Sequence, residues 1–270
     1  MRVPRGTFRV VMTALFNDII FGPVRSRRLG VSLGVNLLPT DAKLCNFNCI
    51  YCECGWSCGG DGGGRPRFNS REDVRRLLSE KLREMVAAGA PPDVITFAGN
   101  GEPTMHPQFE EIIDDTLALR DKICPAAQVS VLSNATMIGR ENVRRALERV
   151  DMNILKLDSA FDETVRQIDN PQGDYSVAKT VADMKLFGGR FIVQTMFVRG
   201  ECNGRPVDNT TEREVGAWLA LLTDLRTQRV MIYTIDRDTP CPTLEKVPLA
   251  ELHAIATRVE ALGIGCSVAG

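Results

Sequence analysis

Pro92-Asp93-Val94-Ile95-Thr96-Phe97-Ala98-Gly99-Asn100-Gly101-Glu102-Pro103 enters from a turn, crosses a short apolar run and leaves through a second turn rich in glycine. So short and apolar a run between Pro and Gly predicts a strand buried on both faces, as in parallel sheets. Downstream the pattern alternates regularly. Helices are expected near 108–120, 140–148, 176–187, 211–225 and 249–262, and strands at 128–133, 152–157, 191–198 and 230–235. Gly188-Gly189 stops one helix, and Thr210 or Thr211 caps the next, whose apolar face is Val215, Trp218, Leu219 and Leu222. Strand and helix alternating at roughly 30–40 residues per unit mean parallel strands joined by crossover helices. About six units are countable, short of the eight in a closed barrel. The expected fold is therefore α/β, an open partial (β/α)6 barrel with helices outside.

Upstream, Val31–Leu38 alternates apolar with small or polar residues and reads as the first strand, ended by Pro39. Before it, Phe21–Gly30 reads as a turn followed by a basic cluster, Arg25, Arg27 and Arg28, suited either to a solvated surface or to an anionic group. Val10–Phe16 is apolar without a period that assigns it to an element. After the first strand comes Cys45-Asn46-Phe47-Asn48-Cys49-Ile50-Tyr51-Cys52, with Cys54 and Cys58 close behind and then Gly59–Gly64. Such glycine density cannot pack a core, and no Gly-Lys-Ser/Thr ending marks it as a phosphate loop. A helix is expected from Asn69 or Ser70, with Val74, Leu77, Leu78, Leu82, Met85 and Val86 at helical spacing.

The chain has 270 residues, 44% hydrophobic, with 33 basic and 34 acidic side chains and a net charge of −1. That suits one domain over 1–270, with 1–30 as an N-terminal extension and 53–68 as a Cys/Gly-rich loop; α/β barrels often run to ~200–250 residues. The charge balance argues against broad nonspecific nucleic-acid binding. No secretory leader and no run of ~18 apolar residues is evident, so no membrane partner is expected. Nine cysteines, most of them in one loop, point to metal ligation in a reducing cytoplasm. Cys124, Cys202, Cys241 and Cys266 are scattered and read as plain thiols.

Reactive groups in parallel α/β folds gather at the carboxyl ends of strands. There the sequence places the cysteine loop, the Gly99–Glu102 turn, Ser133-Asn134, Lys156 and Asp158, Gln194, and Tyr233–Asp236. His106 reads as structural and His253 as part of a surface helix.

Cys-x-x-x-Cys-x-x-Cys with an aromatic before the last Cys resembles the hallmark of radical SAM enzymes. The resemblance implies that Cys45, Cys49 and Cys52 hold a 4Fe–4S cluster whose fourth iron takes S-adenosylmethionine (SAM). Gly99-Asn100-Gly101-Glu102 is similar to the family's Gly-Gly-Glu motif, implying contacts to the SAM amino group, with Asn100 in place of the second glycine. By the same resemblance Ser133 and Asn134 lie near ribose, Lys156 or Asp158 near methionine, Gln194 among the strand-end cofactor contacts, and Tyr51 against adenine. Phe21–Pro39, Gly99–Pro107, Leu155–Ser159, Gln194–Gly200 and Tyr233–Pro240 look like the small group related to wyosine-base (tRNA) synthases. No cysteine precedes Cys45, so the second cluster of the full wyosine synthases is not carried over.

The implied activity is reductive cleavage of SAM to a 5′-deoxyadenosyl radical that abstracts hydrogen from a tRNA, a nucleotide or a peptide. The implied partner is a flavodoxin- or ferredoxin-type electron donor. Two alternatives use the same cysteines: a zinc-stabilised binding module built on four of Cys45, Cys49, Cys52, Cys54 and Cys58, and an activase that places a glycyl radical on a partner protein. Cys54 and Cys58 read either as a second metal or redox pair, or as reduced thiols.

Overall fold

The computed structural model describes residues 15–26, 30–57 and 67–270. Val10–Ala14, Arg27, Arg28, Cys58 and the Gly59–Gly64 run lie outside the described residues. The first strand, β1 (Ile20–Ser26), runs antiparallel to β2 (Gly30–Val35). Helix α1 (Arg71–Ala87) follows, then β3 (Val94–Phe97), α2 (Phe109–Ile123), β4 (Gln128–Ser133), α3 (Glu141–Leu147) and β5 (Met152–Lys156). Two helices, α4 (Asp162–Ile168) and α5 (Val177–Lys185), precede β6 (Ile192–Met196). The chain then makes β7 (Val198–Cys202), β8 (Arg205–Asp208), α6 (Glu212–Leu225), β9 (Arg229–Tyr233), β10 (Leu244–Lys246), α7 (Leu249–Glu260) and β11 (Gly265–Ala269).

Eight strands form one sheet in the order β1-β2-β3-β4-β5-β6-β9-β11, parallel throughout except at β1. The sheet curls into a half-barrel: six strand–helix units run from β2 to α7, and β11 adds a last strand. A separate antiparallel sheet, β10-β7-β8, sits beside the mouth.

Strand alternation sorts the two faces. Leu33 and Val35 of β2, Val129 and Val131 of β4 and Leu155 of β5 pack outward with Leu78, Leu82, Ile112 and Trp218 of the helices. Val94, Met152, Ile154, Ile192 and Met231 gather on the concave side. The helix starts follow capping chemistry: the Ser70, Ser176 and Thr211 side chains accept from Asp73, Lys179 and Glu214 N–H groups. Of the apolar positions expected on the buried face of α1, Val86 is exposed.

Some of the sequence reading changes. Phe21–Ser26 is not a turn; it lies in β1, with an irregular register between Phe21 and Val24 around the Gly22-Pro23 pair. The strand expected over 191–198 breaks after Met196. There the Asn209 side chain donates to the Met196 and Asp158 carbonyls and accepts from Val198 N, turning the chain into the second sheet. Cys202 and Cys241, read as plain thiols, are joined as a disulfide with Cα atoms 5.5 Å apart, because β7 and the segment before β10 converge.

Candidate functional site

Leu37 and Leu38 carry the end of β2 into the core, and the cysteine loop leaves from the carboxyl edge of the sheet. Its backbone is held on three sides. On one, Leu44 bridges Gly101: Leu44 N donates to Asn100 O (2.8 Å) and Glu102 N to Leu44 O (3.1 Å). On another, the segment after α4 runs alongside, with Ile50 N donating to Ile168 O (2.9 Å), Asn48 N to Asp169 O (3.0 Å) and Gln172 N to Asn46 O (2.9 Å). Third, Ser57 folds back, its N–H on Asn48 Oδ1 (2.7 Å) and its hydroxyl on Cys45 O (3.2 Å).

Gly101 is required here. Its φ is +140°, and a Cβ would lie 1.8 Å from Leu44 O.

Cys45, Cys49, Cys52 and Cys54 are free thiols. Burial, with the nearby Glu102 carboxylate adding to it, pushes Cys45 up to about 12, and burial pushes Cys49 well up. Cys52 is lowered to about 6, first by the hydrogen bond from Cys54 and further by the Lys43 ammonium, while Cys54 is raised by the same bond. Thiols so buried give up their protons when a cation replaces them, which is what metal coordination does. Two N–H groups, Phe47 N (3.4 Å) and Asn134 Nδ2 (3.7 Å), already point at Cys45 Sγ.

Glu102 is 2% exposed. Its Oε1 accepts from Thr104 N (3.1 Å), Thr104 Oγ1 (2.5 Å) and Ser133 Oγ (2.9 Å), and its Oε2 from Asn134 N (2.6 Å). Oε2 therefore keeps an acceptor direction for a further donor, and burial raises the pKa of this carboxyl. Asn134 links outward, donating to Asn46 Oδ1 (2.7 Å). The structure thus brings Glu102, Ser133, Asn134 and Cys45 together. Thr104, not singled out in the sequence, completes the group.

The Asn100 side chain is engaged elsewhere. Its Nδ2 donates to Phe16 O and Pro39 O (both 2.8 Å), and its Oδ1 accepts from Phe16 N (2.8 Å).

Lys156, Asp158 and Tyr51 form a second cluster, which Asp169 joins. Lys156 Nζ lies 2.7 Å from Asp158 Oδ2, 3.2 Å from Asp169 Oδ1 and 4.6 Å from the Tyr51 ring centroid. Tyr51 Oη is hydrogen-bonded to Lys156, to Asp158 and to Asp169 Oδ1, the last at 3.2 Å. Burial would discharge the ammonium, but Asp158 and Asp169 outweigh it and hold Lys156 charged. Asp169 itself is pushed up to about 7, chiefly by burial. Gln194 sits beside Lys156 in register on β6, half-buried. Asp169 escaped the sequence reading because it lies on a helix–helix loop, not at a strand end.

Among the described residues, no three His, Cys, Asp or Glu side chains converge to hold a single metal ion. Tetrahedral zinc needs four ligands within about 2.0–2.3 Å of one point. The zinc alternative also draws on Cys58, which lies outside the described residues. An iron–sulfur cluster takes its thiolates on separate irons, and this soft, spread donor set fits it.

Residues 42–212 match the Radical SAM superfamily. The chain belongs to the radical SAM superfamily. Its members use a 4Fe–4S cluster and SAM. A UPF0026 protein of Methanocaldococcus jannaschii is 32% identical over 184 residues, covering 67% of this chain and 54% of the relative. A UPF0026 protein of Helicobacter pylori strain J99 is 29% identical over 224 residues, covering 81% of this chain and 67% of the relative. This chain therefore spans about half the length of the archaeal relative. Among solved structures, a radical SAM methyltransferase from Sphaerobacter thermophilus superposes with a TM-score of 0.66 at 16% identity, over 88% of this chain and 65% of that one. Streptococcus suis SuiB bound to S-adenosylmethionine gives 0.60 at 12% identity, over 85% of this chain and 49% of that one. At these identities the superpositions establish the half-barrel fold.

Proposed function

We propose that this radical SAM enzyme binds its cluster through Cys45, Cys49 and Cys52, and SAM against Glu102 and the Gly99–Gly101 turn. The observation that carries this reading is a loop of three free thiols bridged through Leu44 and Gly101 to the turn that ends in Glu102, a buried carboxylate that keeps one acceptor direction, at the carboxyl edge of a parallel sheet. When bound, the cluster and SAM together supply one-electron cleavage of the sulfonium, giving methionine and a 5′-deoxyadenosyl radical. The chain's own work is to bind and orient. Glu102 Oε2 receives the methionine ammonium, and the backbone of Gly99, Asn100 and Gly101 lines the same end, the Asn100 side chain being occupied by Phe16 and Pro39. Ser133 and Asn134 lie on the ribose side. Lys156, held charged by Asp158 and Asp169, presents a cation to the methionine carboxylate, with Gln194 beside it. Tyr51 packs against the adenine end, its hydroxyl fixed by the same carboxylates.

The substrate setting we infer is tRNA or nucleoside modification, on the likeness of Phe21–Pro39 and the strand-end stretches to the wyosine-related group. The electron donor is a flavodoxin- or ferredoxin-type carrier. Among the described residues no helix is long and apolar enough to cross a membrane. Four free thiols in one loop favour a reducing cytoplasm, while the Cys202–Cys241 bridge pulls the other way.

Anaerobic reconstitution followed by a 5′-deoxyadenosine assay tests the reading. Cys45→Ala, Cys49→Ala and Cys52→Ala should each lose the cluster's visible absorption and reduce product to background. Undiminished product from any one of them removes that cysteine from the ligand set.

A further inference from the structure

On the outer side of the cysteine loop a cavity of about 630 Å³ opens between α4, the β7–β8 hairpin and Trp56. Small-molecule sites commonly span roughly 300–1,000 Å³. Trp56 is 42% exposed, although its backbone is fixed: Gly55 O accepts from Lys43 Nζ (2.8 Å), and Ser57 is bonded to Asn48 and Cys45. An exposed indole on an anchored stretch of backbone is a ready stacking surface.

Around it stand two guanidinium groups. Arg205 opens β8 after the Asn203-Gly204 turn and has no ion-pair partner among the described residues, and Arg166 on α4 is held only loosely by Asp162, at 3.9 Å. The side-chain amides of Gln167, Asn170 and Asn203, which also line the cavity, make no hydrogen bond among the described residues. Glu163 adds one carboxylate acceptor. None of these groups belongs to the site described above.

We propose that this cavity binds a nucleotide, its base stacked on Trp56 and its phosphate held by Arg205 and Arg166, with Glu163 and the free amides meeting base and ribose. A planar ring next to an anion is what an indole beside two guanidinium forks recognises, and stacking accepts any base. The concavity favours this ligand over a protein surface, which docks on flatter ground. The inference extends the nucleoside reading of the substrate and rests on it for its purpose alone. No residue of the Gly99–Glu102 turn lines the cavity, so the nucleotide is either a neighbour of the reacting residue along a nucleic-acid strand or a free one.

The two tryptophans make the test selective. Trp218 is buried at 1% exposure and donates to Leu157 O, so quenching by an added ring reports Trp56. The full chain, reconstituted but without SAM or reductant, is titrated with AMP, with GMP and with a short single-stranded RNA. Saturable quenching that weakens with added salt is expected. In Arg205→Gln and Arg166→Gln the half-saturating concentration should rise at least tenfold, and Trp56→Ala should lose binding of a labelled oligonucleotide to the same degree by anisotropy. All three side chains are exposed, so unchanged circular dichroism is expected and checks the fold.

Quenching by the mononucleotides and the RNA alike identifies a free-nucleotide site; quenching by the RNA alone identifies a strand-binding one. No quenching by either, or quenching indifferent to Arg205→Gln, overturns the proposal. So does Arg205-dependent quenching by an acidic electron-carrier protein where nucleotides do nothing, which makes the face the reductant's dock. The absence of SAM keeps this result separate from failure of the radical reading, which the 5′-deoxyadenosine assay decides.

Discussion

His106 shows how a residue near the site is fixed by its neighbours. Its Nδ1 accepts from Gln108 N (3.1 Å), so the neutral ring carries its proton on Nε2, which donates to Asn69 O (2.9 Å). Both nitrogens are used in the neutral form, and burial holds the pKa below the usual histidine value. The folded state thus binds this proton less readily than the unfolded chain. The stability His106 contributes is present above the unfolded pKa of about 6.5 and is lost as pH falls through that value and below it. Urea unfolding between neutral and mildly acidic pH should show this slope in the parent and a shallower one in His106→Gln. Equal slopes would remove His106 from the account. Its structural part was readable from one sequence, because it follows a turn and lies on no strand end. The partners were not, since Asn69 lies far away along the chain. Asp169 was hidden for a similar reason: nothing local marks a loop aspartate whose value comes from Tyr51 and Lys156.

Among the elements, those with a long period were legible and those defined by partners were not. The α1 and α6 stripes, with caps at Ser70 and Thr211, are written locally, and both helices form within a residue or two of expectation. The strand β1 is not written locally, since Gly22-Pro23 interrupts any alternation and only pairing with β2 makes it a strand. β7, β8 and β10 are short and pair mainly with one another. The junction of the cysteine loop with the glycine turn is the element-level feature on which the site depends. In the sequence it appeared as two motifs; in the structure they are one backbone bridge, Leu44 to Gly101. Gly101→Ala puts a Cβ into the Leu44 carbonyl at a φ of +140°. Backbone strain of this kind costs on the order of 1–3 kcal/mol. The variant should lose about that much stability to urea, and it should bind less iron per chain than the parent on reconstitution. Parent-like iron content would mean that the bridge yields without disturbing the thiols.

For the molecule as a whole, the half-barrel leaves its mouth to be walled by the second sheet. That sheet is tied to the cysteine loop once and braced within itself once. Cys241 N donates to Ile50 O (3.3 Å), and Cys202 and Cys241 join β7 to the segment before β10. The clustering of the other thiols argued for a reducing compartment, and no local pattern linked these two, because their contact is created by the fold. The bridge spans a separation of 39 residues. Loop-closure entropy for a loop of that size is worth about 4 kcal/mol, an upper figure because unfolded chains retain structure. In non-reducing buffer, Cys202→Ser combined with Cys241→Ser should therefore unfold at lower urea than the parent, by up to that amount. In excess dithiothreitol the two proteins should converge, because the parent's bridge is then open as well. A parent whose midpoint is indifferent to dithiothreitol, with two additional thiols alkylated under native conditions, would show that the pair stays reduced in solution. The second sheet is then held at the mouth by its strands and the Ile50 hydrogen bond.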